Sequence, residues 1–472
     1  MNNKSINFIK SFLYTLTSNL ISVVISAIVV LIVPKVIGVE EYGYWQLYLF
    51  YSSYVGFLHF GWNDGIYLRY GGKKYKDINK RLFFSQFYML FIFELVIALI
   101  IFCSSDIFII NSKKIFVIEM TAICMIIMNI RCMLLYILQI TNRIKEYAQI
   151  TILDRILYCF LIITFLIVGV REFKLMIIAD LISKLISLLY AMCYCSDIVF
   201  RKISTFYFTF KETIRNISVG IKLMFANIAS MLIIGTIRFG IEKTWDISTF
   251  GKVSLTLSIS NFMMLFINAV GIIMFPILRR TDERRLSGIY VIMRDLLMVI
   301  LLGLLITYYP IKFILSMWLP KYIDSLRYMA LIFPMCVFEG KMALLINTYL
   351  KTLRKEKLML KINLISLFLS IIITFITTAL LKNLNLAIAS IVIILAFRCA
   401  FAEISLSKIL TILLYKDIGL ELIMTSIFIL TGWFINSWLG VLFYVLAYIM
   451  YLILKRKDII NTIKDIRLLM KA

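Results

Sequence analysis

Charge is scarce in this 472-residue chain: Asp, Glu, Lys and Arg supply 16% of it, where an ordinary soluble domain carries about 25%. Histidine is all but missing; His59 is the single one, and a lone histidine in a helix reads as packing before it reads as a switch. The eight cysteines lie mostly in apolar stretches, among them Cys103, Cys124, Cys132, Cys159, Cys336 and Cys399. None stands in CxxC or Cys/His spacing, which argues against a disulfide framework or a metal site. There is no P-loop, no G-x-S-x-G elbow and no nucleotide-sugar site. No connection between apolar runs exceeds about twenty residues, too short for a folded domain. Whatever this protein does, it does between its helices.

What is abundant is apolar surface. Hydrophobic residues make up 62% of the chain and the mean hydropathy is +0.96, outside the range of globular and disordered chains alike. A spanning helix takes about 20 apolar residues. Runs of that length start at 11–33, behind Lys4 and Lys10, and continue to 438–454, about fourteen in all, with about twelve as the lower reading. The first ends at Pro34-Lys35 and is longer than a signal-peptide core, so it reads as an uncleaved helix. The expected class is an all-α polytopic membrane protein.

Lys plus Arg number 50 against 26 acids, a formal charge of +24. In a soluble chain that balance would suggest nucleic acid. Here the basic residues gather in the N-terminal segment, in alternate connections and in the C-terminal tail, as at Arg69, Lys73, Lys74, Lys76, Lys80 and Arg81, at Arg279, Arg280, Arg284 and Arg285, and at Lys351, Arg354, Lys355 and Lys357. This is a topology signal. It places both termini in the cytoplasm and leaves no nucleic-acid partner to expect.

A weak internal repeat is present. Asn19-Leu20-Ile21 aligns with Asn227-Ile228-Ala229 and Tyr42-Gly43 with Phe250-Gly251, and a basic cluster follows the second run of each copy, at Arg69 and at Arg279. An even number of spans separates the copies, so the halves share an orientation, as in parallel-repeat transporters with a cavity between lobes. The expected division is an N-lobe over 1–200, a C-lobe over 201–417, and two extra C-terminal helices with a basic tail over 418–472.

Several stretches resemble a known family. Val36-Ile37-Gly38-Val39-Glu40-Glu41-Tyr42-Gly43-Tyr44-Trp45 is similar to the turn after the first span of bacterial polysaccharide flippases, and Gly61-Trp62-Asn63-Asp64-Gly65-Ile66-Tyr67-Leu68-Arg69-Tyr70-Gly71-Gly72 to the end of their second. Leu138-Gln139-Ile140-Thr141-Asn142-Arg143-Ile144-Lys145-Glu146-Tyr147 resembles their fourth loop, and Phe275-Pro276-Ile277-Leu278-Arg279-Arg280 their eighth-span exit. One departure is Ile237 before Arg238, where an acid often stands. The family is the Wzx-type oligosaccharide flippases of the multidrug/oligosaccharidyl-lipid/polysaccharide exporter superfamily. The resemblance implies a two-lobed core of twelve helices, sometimes with two more. It also implies alternating access that moves an undecaprenyl-diphosphate-linked oligosaccharide outward across the bacterial cytoplasmic membrane, with no cofactor. Membrane lipids, a polysaccharide polymerase and a chain-length regulator are the partners that go with that role.

A charge at the bilayer centre costs about 2.5–3.5 kcal/mol on insertion scales, so each one kept should face a cavity or a partner. Arg131 has no acid within one turn and must be answered from another helix, by water or by a ligand. Lys184 sits four residues after Asp180, on the same helical face, and reads first as a self-neutralising pair. Asp154-Arg155, Arg294-Asp295 and Lys222 stand near span ends, where long side chains snorkel. Glu339 and Lys341, two residues apart, point to different faces. Arg398 is mid-span with Glu403 five residues on, and Arg238 closes the seventh span. A diphosphate wants cations, arginine above all, so Arg131, Arg155, Lys184, Lys222, Arg238, Lys341 and Arg398 are the candidate headgroup ligands. Tyr14, Asn19, Tyr48, Trp62, Asn63 and Asn227 are candidate sugar contacts, and Asp64, Glu94 and Glu339 candidate coupling sites for H⁺ or Na⁺.

Two other classes compete. A drug or small-cation exporter of the same superfamily would want net acids or an aromatic cage in its cavity. A membrane polymerase would want a sizeable outer loop, which is not present, and an acyltransferase would rely on intramembrane histidine, where the single one here, His59, reads as packing.

Overall fold

The computed structural model describes residues 3–279, 283–435 and 438–461, the side chains of 3–13, 15, 16, 18, 19, 23, 108, 263 and 265–285 excepted. It divides into two compact units, Met1–Ile228 and Ala229–Ala472. The first holds α1 (Asn3–Val36), α2 (Val39–Ser52), α3 (Trp62–Tyr70), α4 (Lys80–Phe108), α5 (Ser112–Ile140), α6 (Ile144–Ile167), α7 (Phe173–Tyr194) and α8 (Ser196–Val199). Helix α9 (Phe210–Thr244) runs across the division. The second unit continues with α10 (Ile247–Arg279), α11 (Glu283–Leu304), α12 (Tyr308–Trp318), α13 (Ile323–Leu326), α14 (Met329–Ile332), α15 (Met335–Lys341), α16 (Asn347–Thr352), α17 (Glu356–Thr374), α18 (Leu384–Leu410), α19 (Tyr415–Phe434) and α20 (Trp438–Leu454).

Ten helices among the described residues are long and apolar enough to cross a membrane, and Leu20–Val36 and Trp438–Leu454 are shorter apolar helices. Three of the starts are fixed by asparagine. Asn79, Asn111 and Asn383 precede α4, α5 and α18, and their side chains accept from backbone N–H groups of the first turn, satisfying donors that have no intrahelical partner.

Among the described residues, two apolar runs are broken near residues singled out above. The second breaks between α2 and α3, where Phe60 and Gly61 take positive φ. Gly61 lies against α9: a Cβ there would stand 2.5 Å from the Ile221 nitrogen, and one on Gly65 would stand 1.9 Å from the Asn216 carbonyl oxygen. Only a backbone without side chains permits so close a crossing. The tenth run breaks after α14 at Pro334, which has no N–H to continue the ladder, and then carries a π turn at Met342–Ile346, directly after Lys341.

The first unit is built around α5, which packs on α2, α3, α4 and α7. The second is built around Met329–Thr352, the most buried of the candidate spans among the described residues. These are the fourth and tenth apolar runs, and both carry a basic residue: Arg131 and Lys341. The division between units falls inside α9, later than the expected boundary at 200. The first turns of α9 belong to the first unit because Asn216 accepts from Arg69 Nη1 at 2.5 Å and donates to Gln86 at 3.1 Å, while Glu212 accepts from Arg69 and Tyr70 at 2.6 Å.

The first turn of α2 has a structural use for its acids, Glu40 and Glu41. Glu41 accepts the Phe173 backbone N–H at 2.9 Å, at the start of α7, and Glu40 and Glu41 both pair with Lys113. Between α7 and α9, Asp197 pairs with Lys80 and accepts from the Tyr75 hydroxyl at 2.5 Å. Partial burial opposes ionisation of Asp197, yet those two donors hold its carboxyl below the usual carboxylate range.

Candidate functional site

Charge inside the first unit is concentrated where α5, α6 and α7 meet. Arg131 of α5 is 8% exposed. It is 2.8 Å from the Asp154 carboxylate of α6 and donates to Ser187 Oγ of α7 at 2.9 Å. One helical turn from Ser187, Lys184 pairs with Asp180, whose carboxylate also accepts from the Tyr48 hydroxyl of α2 at 2.6 Å. Ser183 joins the two pairs by donating to Asp154 at 3.3 Å. Two cations and two acids thus balance within one hydrogen-bonded group, as burial in a low-dielectric medium requires. Arg155, next to Asp154, is exposed.

The second unit contains a larger network. Arg294 of α11 is 1% exposed; it donates to Glu403 of α18 at 2.8 Å and pairs with Glu421 of α19. Lys341 of α15 pairs with the same two acids, at 2.6 Å to Glu421. Tyr290 donates to Glu403 at 3.2 Å. At its edge Asp295 and Asp417 meet Lys455, at 3.2 Å and 2.6 Å, beside a cavity of about 420 Å³ lined by Asp295, Asp417, Lys455 and Asp458. Lys455 follows the last span; burial opposes its charge, but the three surrounding carboxylates hold it above the usual lysine range.

This network differs from the expected snorkelling of Arg294. Its guanidinium is buried among four carboxylates of the unit, those of Asp295, Glu403, Asp417 and Glu421. Glu421 and Asp417, absent from the candidate set, are the residues sequence reasoning missed. Their spacing of four on an otherwise apolar run, facing one side of a helix, was the available signal.

Arg398 of α18 forms a third group. It donates to Glu339 at 2.8 Å, Asn363 at 3.1 Å and Ser230 at 2.8 Å. Glu339 and Lys341 therefore do serve different partners. Arg238 is half-buried, donates to Ser254 at 3.0 Å and lies over the Phe250 ring. Lys222 and Asn227 are exposed, as is Tyr14; the Asn19 side chain lies outside the described residues. Trp62 donates to Gln86 at 2.7 Å, and Gln86 in turn donates to Thr209 and Thr213. Asn63 donates to the Asn129 carbonyl at 2.9 Å, and Asn129 donates to Glu94 at 2.9 Å. Asp64 lies 3.9 Å from His59. Trp62 and Asn63 thus point their polar groups into the first unit.

No protein-family model and no curated protein matches this sequence. Solved structures do. The lipid II flippase MurJ in an inward closed conformation is similar over 95% of this chain and 99% of its own, with TM-score 0.65 and 14% identity. An inward-facing multidrug-resistance MATE family transporter of the MOP superfamily is similar over 83% of this chain and 98% of its own, with TM-score 0.59 and 10% identity. A MATE protein in its straight conformation is similar over 86% and 96%, with TM-score 0.56 and 11% identity.

The protein is a multi-pass membrane protein. Its fold is similar to that of these MOP-superfamily transporter structures.

Proposed function

We propose that this protein is a flippase that moves an undecaprenyl-diphosphate-linked oligosaccharide from the inner to the outer leaflet of the bacterial cytoplasmic membrane, for surface-polysaccharide synthesis. Both termini stand in the cytoplasm, and transport proceeds by alternating access of the two lobes. The observation that carries this reading is a pair of buried guanidinium groups, Arg131 in one unit and Arg398 in the other, each held by one carboxylate and otherwise by neutral groups. The carboxylate keeps the arginine from standing unpaired in the bilayer. A diphosphate, which matches the planar fork bidentately, takes the carboxylate's place when the headgroup enters. The polyprenyl tail stays in lipid. The flippase-like sequence motifs and the fold likeness to a lipid II flippase over nearly the whole chain support the same reading.

A second reading, an exporter of drugs or other small molecules, draws on one specific feature: acids balance the cations in both buried clusters. Depletion in the native host separates the two. The flippase reading expects complete oligosaccharide units to accumulate on the cytoplasmic face, with loss of surface polymer. Unchanged lipids together with new sensitivity to cationic drugs would overturn it in favour of the exporter.

A further inference from the structure

The connection between the sixth and seventh apolar runs, residues 200–215, is a strap with two unlike faces. Its inner face is tied to the start of α4. Arg81 donates to the Thr205 carbonyl at 2.9 Å and lies over the Tyr207 ring. The Tyr207 backbone N–H donates to Ser85 Oγ at 3.2 Å, and the Thr209 hydroxyl accepts from Gln86 at 2.5 Å. Phe206 is extended, with φ −66° and ψ 140°, and alternate residues of an extended chain face opposite sides. Phe206, Phe208 and Phe210 therefore form an outer row, with neighbouring rings 5.2 Å and 5.4 Å apart. Phe208 and Phe210 are 69% and 61% exposed, and Ile203 before them and Ile214 after them are 85% and 65% exposed.

Cations flank this row, and acids do not balance them. Lys202 and Lys211 are exposed and form no ion pair among the described residues. The acids nearest in sequence are used elsewhere: Asp197 pairs with Lys80, and Glu212 with Arg69 and, at 3.7 Å, with Arg215, whose side chain is itself more than half exposed. An exposed apolar row of this kind marks an interaction surface. Both ends of the strap lead into spanning helices, so the surface within reach is that of the bilayer. Aromatic rings settle at the headgroup level, and basic residues beside them add attraction to anionic lipid. A zwitterionic surface would cover the rings and leave the lysines unanswered. We propose that the strap is a docking surface for anionic phospholipid: the three phenylalanines enter the acyl boundary, and Lys202, Lys211 and Arg215 hold negatively charged phosphate headgroups.

The inference goes beyond the cargo assignment and is read without cargo. The purified full chain is placed in nanodiscs of phosphatidylcholine alone and of phosphatidylcholine with phosphatidylglycerol in a three-to-one ratio. Both leaflets of a disc have one composition, so the result does not depend on orientation. Hydrogen exchange of the backbone amides of residues 200–215 is the readout, which separates the strap from lipid contacts elsewhere. Exchange is expected to be about tenfold slower in the phosphatidylglycerol discs, and the difference to shrink at high salt. Lys202→Gln with Lys211→Gln should exchange alike in the two discs. Phe208→Ser with Phe210→Ser should exchange faster than wild type in both. Equal exchange of the wild-type strap in the two discs overturns the proposal, as does a full phosphatidylglycerol effect kept by the double lysine variant. A strap protected in native membranes but in neither disc would assign the surface to a protein partner and overturn it as well.

Discussion

Lys341 and Glu421 stand 2.6 Å apart, a lysine from the central helix of the second unit and a glutamate from the first of the two C-terminal helices. With Arg294, Glu403 and the Lys455–Asp417 pair, this contact fastens α19 and the start of the tail into the unit by buried charge. The C-terminal helices are part of the unit's electrostatics and not an appendage to it.

Removal of one member of such a network leaves an uncompensated charge. Lys341→Ala is expected to destabilise the protein by about 3–5 kcal/mol, and Lys341→Met combined with Glu421→Leu to recover part of that loss. Thermal or denaturant unfolding in detergent checks it. Truncation before Tyr415, which strips Arg294 and Lys341 of Glu421, is expected to yield aggregated protein on size exclusion.

Arg131 is both a structural partner and the proposed headgroup ligand, and paired substitutions separate the roles. Arg131→Ala strands Asp154 and lowers both stability and export. Arg131→Gln with Asp154→Asn is expected to restore folding to within about 1–2 kcal/mol of wild type, since both charges are gone together, yet export stays lost. Arg131→Lys keeps the charge without the fork and retains part of the activity. Surface polymer measured alongside protein level in the membrane distinguishes the cases. Normal export by the folded double variant would remove Arg131 from the headgroup site.

The crossing of α3 and α9 has no room for a methyl group. Gly65→Ala would place a Cβ 1.9 Å from a backbone oxygen, so a loss of about 1–3 kcal/mol or a shift of the helices is expected. Gly38→Ala, where a Cβ meets nothing within 4 Å at a φ of −68°, is the control and should unfold with the wild type.

Asp197 gives a pH dependence of known sign. Its carboxyl is depressed in the folded state, so its pairing with Lys80 and Tyr75 stabilises above the usual carboxylate value and is lost as pH falls through the depressed one. Asp197→Asn should therefore lower Tm near neutral pH, and the difference from wild type should shrink as the pH drops below about 4. A gap that stays constant with pH would show that the charge is not its source.

How far the sequence reached can be seen at particular residues. The helical runs were legible because about 20 consecutive apolar residues leave few alternatives. With no acid within one turn, Arg131 had to be answered from another helix, by water or by a ligand, and the structure places the Asp154 carboxylate of α6 2.8 Å from it. Which helix supplied it was not legible: Asp154 is 23 positions away, and only packing brings α6 beside α5. The same holds for Lys341 with Glu421. The break at Gly61 also escaped, since hydropathy is blind to a positive φ and to a neighbouring backbone at 2.5 Å. The candidate cations were found one by one, whereas their balance by acids is a property of the assembled units.

The central claim is that this chain carries a lipid-diphosphate headgroup across the bilayer, and the most direct measurement is flipping by the purified protein. Reconstituted into liposomes carrying a fluorescent undecaprenyl-diphosphate oligosaccharide in one leaflet, wild-type protein should expose that lipid to an impermeant quencher or glycosidase on the other side, and the folded Arg131→Gln/Asp154→Asn variant should not. Transfer no faster than in protein-free liposomes would contradict the account.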